Sequence, residues 1–171
     1  MQGEMEMNAI FTRTSVRSYE NRPVEADKVE KILRAAMVAP SAVNQQPWEF
    51  YVVTDKKVLQ QLSEVSPYAD MTAKAPAAIV PCYRKSGTIV PELVDVDMAI
   101  ATENILLEIE ALGLGGVMLG IAPFEDRMEK AAAVLNLPDH LAVFTIVPFG
   151  YPEKKNAQQD RYDAARVHYV K

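Results

Sequence analysis

At 171 residues and 19.0 kDa the chain is long enough for one domain with a real core. Hydrophobic residues at 49% and charged ones at 24% are the balance of a globular protein, and a net charge of −5 argues against a general nucleic-acid binder, which would be basic. A single cysteine, Cys82, excludes an internal disulfide and a cysteine-based zinc site, and two histidines far from it (His140 and His168) make a metal centre unexpected.

The opening "MQGEMEMNAIF" carries acids and lacks the basic start and apolar run of a signal peptide. No stretch reaches transmembrane length, so a reducing cytoplasm is the expected setting, with no membrane partner. Residues 4 to 11 are expected to form a short helix. Between Asp27 and Ala39 the apolar positions Val29, Ile32, Leu33, Ala36 and Met37 share one helical face, and Pro40 stops the helix. "FYVVT" (50–54) reads as a buried strand and residues 56–63 as a short helix. "APAAIVPCY" (75–83) reads as a second strand, with Pro81 marking an edge or an end. The longest helix is expected over 94–112. Its stripe of Val94, Met98, Ala101, Ile105, Ile109 and Leu112 is widened by Ile100 and Leu107, so it should be buried on more than one side.

"GLGGVMLG" (113–120) then returns the chain into a third strand. It superficially resembles a dinucleotide fingerprint, but it follows a helix and enters a strand, whereas the fingerprint needs the reverse order. A helix over 125–136 and a last strand over 141–151 follow, and then a polar tail. The tail has few apolar anchors, yet Tyr162, Val167, His168 and Tyr169 need partners that a second subunit would supply. Together these elements indicate an α+β, three-layer arrangement rather than a doubly wound sheet.

Two stretches carry the chemistry. "PSAVNQQPWEF" (40–50) places Asn44, Gln45 and Gln46, each both donor and acceptor, between two prolines. That suits a neutral heterocycle with a mixed donor–acceptor edge, and equally a connection satisfying its own backbone. In "FTRTSVRSYENRPV" (11–24), Arg13, Ser15 and Arg17 alternate, so an extended chain points all three to one side. Two guanidiniums flanking a hydroxyl suit an anion. A solvated basic face is the alternative.

Taken together, these stretches resemble the FMN-dependent nitroreductase family. R-x-S-x-R-x-Y is matched by Arg13, Ser15, Arg17 and Tyr19, and P-S-x-x-N-x-Q-P-W by Pro40, Ser41, Asn44, Gln46, Pro47 and Trp48. The long helix running into a glycine turn (97–120) and the tail "RYDAARVHY" (161–169) extend the likeness. The resemblance implies a three-layer α/β/α sandwich around a mixed, largely antiparallel sheet. It implies a single FMN-binding domain over 1–171 and an intertwined homodimer, with residues 152–171 packed on the partner. It further implies an FMN site built by Arg13, Thr14, Ser15, Arg17, Pro40, Ser41, Ala42, Asn44, Gln46, Leu119, Gly120 and Arg161. Arg13, Ser15 and Arg161 would hold the phosphate, and Arg17 would face the N1–C2 side of the ring. Ser41, Asn44 and Gln46 would come from the partner, and the backbone at Leu119 and Gly120 would meet N5.

The implied activity takes hydride from NADH or NADPH to a small electron-poor acceptor such as a nitroaromatic or quinone, the flavin doing the redox chemistry. A specialised flavoenzyme (a dehalogenase, or an oxidase acting on a heterocycle or on flavin) and a flavin-binding module without turnover are the other readings. Three departures stand out. Gln159 occupies a slot where relatives carry a second basic residue, which Lys154 or Lys155 would replace. Met118 alters the flavin wall, and residues 84–95 leave little room for an inserted lid helix. Tyr68 and Met71 lie where relatives contact flavin, but their surroundings match too poorly to include them. Trp48, Met98, Met118 and Cys82 read as packing residues, and His140 as a surface one.

Overall fold

The computed structural model describes residues 9–154, 157–158 and 160–171. Five helices are present among them: α1 (Ala9–Thr12), α2 (Ala26–Met37), α3 (Lys56–Ser63), α4 (Val94–Ala111) and α5 (Glu125–Leu135). Six strands form the sheet: β1 (Trp48–Val53), β2 (Ala77–Arg84), β3 (Gly115–Gly116), β4 (Leu119–Gly120), β5 (Leu141–Val143) and β6 (Thr145–Gly150). Residues 4–8 of the first expected helix lie outside the described residues. The strand order is β1-β2-β6-β3, with β5 also on β2 and β4 also on β6. These pairs are all antiparallel, and the parallel component is an isolated bridge from Ser15 to Gly116.

Side-chain alternation along β2 builds the three layers. Ala77 and Ile79 face α2 and α4, where they pack with Ile32, Ala36, Ile105, Ile109, Val147 and Phe149. Ala78, Val80 and Cys82 face α3 and α5, packing with Leu59, Leu62, Ala131 and Ile146. The apolar surface of α4 runs nearly all round, and Met98, Ala101, Thr102, Ile105 and Ile109 are buried. The helix ends in a Schellman motif: Leu114 N–H donates to the Ile109 carbonyl at 3.0 Å and Gly113 N–H to that of Glu110 at 3.0 Å. Gly113 takes the left-handed φ of 73° that this ending requires.

Two strand expectations are corrected. "FYVVT" belongs to an edge strand whose Val52 is exposed, because β1 pairs only with β2 among the described strands. Pro81 marks neither an edge nor an end. It lies inside β2, with β1 on one side and β5 and β6 on the other. The register explains how a residue without an N–H is tolerated there. Ile79 faces Val147 and Cys82 faces Val143, so two β2 residues oppose three (144–146) across the ladder. Pro81 sits at this bulge, where its carbonyl accepts from Phe144 N–H at 2.9 Å and no donor is needed in return.

Candidate functional site

The segment carrying Arg13, Ser15 and Arg17 is laid onto the sheet by the glycine turn. Val16 N–H donates to the Gly116 carbonyl at 3.0 Å, and Ser15 bridges Gly116. The turn must be glycine here: a Cβ on Gly115 would come within 2.6 Å of Val16 Cγ2. Buried Val16 thereby turns Ser15 and Arg17 outward. Tyr19 closes the segment, its hydroxyl 2.7 Å from the Val16 carbonyl and 3.1 Å from that of Pro148, and burial raises its pKa well above the ordinary phenol range. Arg13 departs from the expected alternation. Its N–H still bonds to Ala9 of α1, and its guanidinium lies 3.5 Å from Glu103 on α4. Of the two guanidiniums, only that of Arg17 belongs to a residue lining the cleft around Leu119 and Gly120.

The loop 40–46 divides its polar residues between two tasks. Gln45 is buried: its Nε2 donates to Asp97 Oδ2 at 2.7 Å and to the Val90 carbonyl at 3.0 Å, and its Oε1 accepts from Val90 N–H. Asp97, buried on α4, also accepts from Ala42 N–H at 2.8 Å. Asn44 and Gln46 instead stay exposed, with Gln46 Nε2 donating to Asn44 Oδ1 at 3.0 Å and Ser41 Oγ accepting from Gln46 N–H. Val43, Asn44 and Gln46 take φ of 45°, 57° and 45°. For the β-branched Val43 this is strained, and the Asp97–Gln45 anchor holds the strain in place.

Arg17, Leu119 and Gly120 meet in one cleft of about 460 Å³, with Pro67, Tyr68, Asp70, Met71, Val117, Met118 and Arg127. That volume is in the small-molecule range of about 300–1,000 Å³. Gly120 leaves part of the wall bare, since the nearest atom to a Cβ placed there is Arg127 Nη1 at 4.0 Å. A larger cavity of about 560 Å³ opens between Tyr19–Val24 and Ala73–Ala77, but none of the expected site residues lines it.

The single chain does not assemble the whole expected set. None of Pro40, Ser41, Ala42, Asn44 and Gln46 lines the Arg17 cleft, nor do Arg13, Thr14 and Ser15. Arg161 lies in a separate hollow with Ile10, Phe11, Gln158, Asp160 and Tyr162, tied to the Arg13 segment by Gln158 Nε2 donating to the Arg13 carbonyl at 2.7 Å. Lys155 and Gln159 lie outside the described residues. Between the end of β2 at Arg84 and the start of α4 at Val94 there is a 3-10 turn, Pro91–Leu93, and part of the cleft wall comes from Pro67, Tyr68, Asp70 and Met71 after α3.

Sequence reasoning left out Tyr68, Met71, Asp70 and Arg127. A weak signal existed for Tyr68 and Met71, whereas nothing local marked Arg127. Met118 is not simply packing, being 42% exposed in the cleft. Trp48 and Met98 do pack together, His140 is exposed, and Cys82 is buried with its thiol pushed up to about 12 by burial and then by Glu49.

The model of the nitroreductase family matches residues 10–67 and 63–151. The chain belongs to the nitroreductase family. A protein of Methanothermobacter thermautotrophicus, provisionally named an NADH dehydrogenase/NAD(P)H nitroreductase, is 41% identical over 165 residues, spanning 96% of this chain and 86% of that one. A solved structure from Clostridium acetobutylicum, provisionally named an NADH oxidase, matches with a TM-score of 0.92 at 44% identity, covering 95% of this chain and 99% of the other. An FMN-dependent nitroreductase from Clostridium difficile matches at 0.89 and 28% identity, covering 96% and 98%. The sandwich described above is thus the nitroreductase fold. The nitroreductase family match ends at Tyr151, so the tail's likeness does not draw on it.

Proposed function

We propose that this chain is an FMN-dependent oxidoreductase that takes hydride from NADH or NADPH and delivers electrons to a small, planar, electron-poor acceptor of the nitroaromatic or quinone type. The observation that carries this reading is the meeting of Arg17 with Leu119 and Gly120, about a hundred residues later, in one cleft whose glycine leaves room for a flat group. The names of its relatives, an NAD(P)H nitroreductase and an FMN-dependent nitroreductase, support the same reaction class.

The residues fit the cofactor. Arg17 is an exposed cation at the cleft, suited to a ring edge that gains negative charge on reduction. Arg13, Thr14, Ser15 and Arg161 would bind the phosphate and its chain, with Arg13 exchanging Glu103 for the phosphate. Bound FMN would supply the two-electron chemistry, and the protein position and charge.

None of Pro40, Ser41, Ala42, Asn44 and Gln46 lines the Arg17 cleft of its own chain, so in this reading they would serve the flavin of a second copy in a homodimer. The tail supports this: every described residue from 160 to 171 is exposed, including Tyr162, Tyr169 and Val170. In this reading residues 1–171 form one FMN-binding domain whose tail, 152–171, packs on the partner. No described helix is long and apolar enough to cross a membrane, and we place the enzyme in the cytoplasm.

The test is spectral. The purified protein should be yellow and release FMN on denaturation. NADH or NADPH should bleach the flavin without oxygen, and a nitroaromatic or quinone should restore it. Release of FAD, or a colourless protein that FMN cannot reconstitute, overturns the proposal. Bleaching with no reoxidation by either acceptor class overturns the acceptor assignment.

A further inference from the structure

Arg127 stands third in α5 and reaches back to Gly120, where Nη1 donates to the carbonyl at 2.7 Å; both residues line the cleft. Its guanidinium lies 4.1 Å from the ring centre of Phe124 and 5.9 Å from that of Tyr68. Two aromatic faces and a carbonyl thus hold a half-buried cation in a defined place. No carboxylate among the described residues pairs with it. Its neighbour Asp126 pairs instead with Lys130 at 3.7 Å, and Asp70, which also lines the cleft, is not within ion-pair distance. With Arg17 and Arg127 against Asp70, the cleft is net positive. One edge of a guanidinium is occupied by Gly120, while Nη2 and Nε keep donors for a planar anion.

We infer that Arg127 is a specificity-determining residue that receives an anionic group on the acceptor, so that the preferred substrates are flat aromatic acceptors bearing a carboxylate or a comparable anion. This rests on the FMN oxidoreductase reading, in which Arg17 is engaged by the cofactor and Arg127 remains for the substrate. Phe124 and Tyr68, flanking the guanidinium, add apolar surface for the substrate ring beside its charge.

The test uses the FMN-loaded protein and two acceptors alike in ring and size, 4-nitrobenzoate and the uncharged 4-nitrobenzamide. kcat/KM is measured for the native enzyme, Arg127→Gln and Arg127→Lys. Calorimetry gives the dissociation constants of benzoate and benzamide for the oxidised proteins. The native enzyme should favour the acid by roughly two- to fivefold, the scale of a partly exposed charge pair. Arg127→Gln should erase that preference in both rate and binding by weakening the acid alone. Arg127→Lys should restore part of it, and salt should shrink it in the native enzyme.

Equal losses on acid and amide would make Arg127 only a structural prop for Gly120 and overturn the inference. So would a preference that survives in Arg127→Gln, a fall in FMN affinity, or a loss confined to flavin reduction by NADH or NADPH. The two readings fail differently. A chain that holds no FMN overturns the oxidoreductase proposal and this inference with it, whereas an active flavoenzyme indifferent to the acid overturns this inference alone.

Discussion

Arg13 and Arg17 look equivalent in R-x-S-x-R, yet their surroundings differ. Arg13 is held near Glu103 at the end of α1, while Arg17 lines the cleft with Leu119 and Gly120. The two should therefore fail in different ways. Arg17→Ala should lower the midpoint potential of bound FMN, because a cation facing the ring stabilises the reduced, more negative state. A charged hydrogen bond is worth about 1.5–3 kcal/mol. Arg17 is exposed, so the lower end applies and the fall should be roughly 30 mV. Arg13→Ala should weaken FMN binding with the potential nearly unchanged, since the phosphate charge is constant on reduction. Paired redox titrations and FMN affinities check both. An Arg17→Ala protein that loses affinity at constant potential would make Arg17 another phosphate ligand. Gln45 teaches the same lesson within one loop. Chemically it matches Gln46, but its amide is spent inside on Asp97 and Val90.

Elements set the site through close approach. The short strand β3 has no side chains, and this lets Val16 sit against it and carry Ser15 and Arg17 outward. Gly115→Ala should destabilise the fold by about 1–3 kcal/mol through overpacking against Val16, and should weaken FMN binding as the 13–17 segment shifts. Adding Val16→Ala removes the obstructing methyls and should recover part of the lost stability, a coupling that chemical denaturation of the four proteins in a double-mutant cycle measures directly. Strictly additive losses would show that Gly115 matters for some reason other than Val16. The loop 40–46 depends on a different element. The carboxylate of Asp97 on α4 holds the loop by two hydrogen bonds, so the helix that builds the core also positions Asn44 and Gln46.

Across the whole molecule, the expected site residues fall into four places: the Arg17 cleft, the Arg13–Ser15 segment beside Glu103, the Arg161 hollow and the 40–46 loop. A second copy is the simplest way to unite them, and the exposed tail with Ile10 and Phe11 offers apolar surface for it. Light scattering of the FMN-loaded protein should give twice 19.0 kDa. Removing residues 152–171 should weaken the dimer and FMN binding together. A stable monomer with undiminished FMN affinity would contradict the shared-site proposal.

Local pattern was enough to read much of this protein. The helical periodicity around Ile32 and Ile105, the β-branched runs ending at Val53 and Val80, and the glycines closing α4 each express chemistry between near neighbours in the chain. The R-x-S-x-R and P-S-x-x-N-x-Q-P-W motifs were legible for the same reason, being contiguous. Packing between distant segments decided the rest. Pro81 is tolerated inside the sheet because β5 and β6, sixty residues later, supply a bulge opposite it. Gln45 turns inward because Asp97 lies beneath it, and Arg13 leaves the alternation because α1 and Glu103 hold it. Tyr68 and Arg127 share a cleft with Arg17 only because the fold brings the segment after α3 and the start of α5 together there. A side chain's partner across such a distance is fixed by the burial of all the others, which no short window of sequence contains.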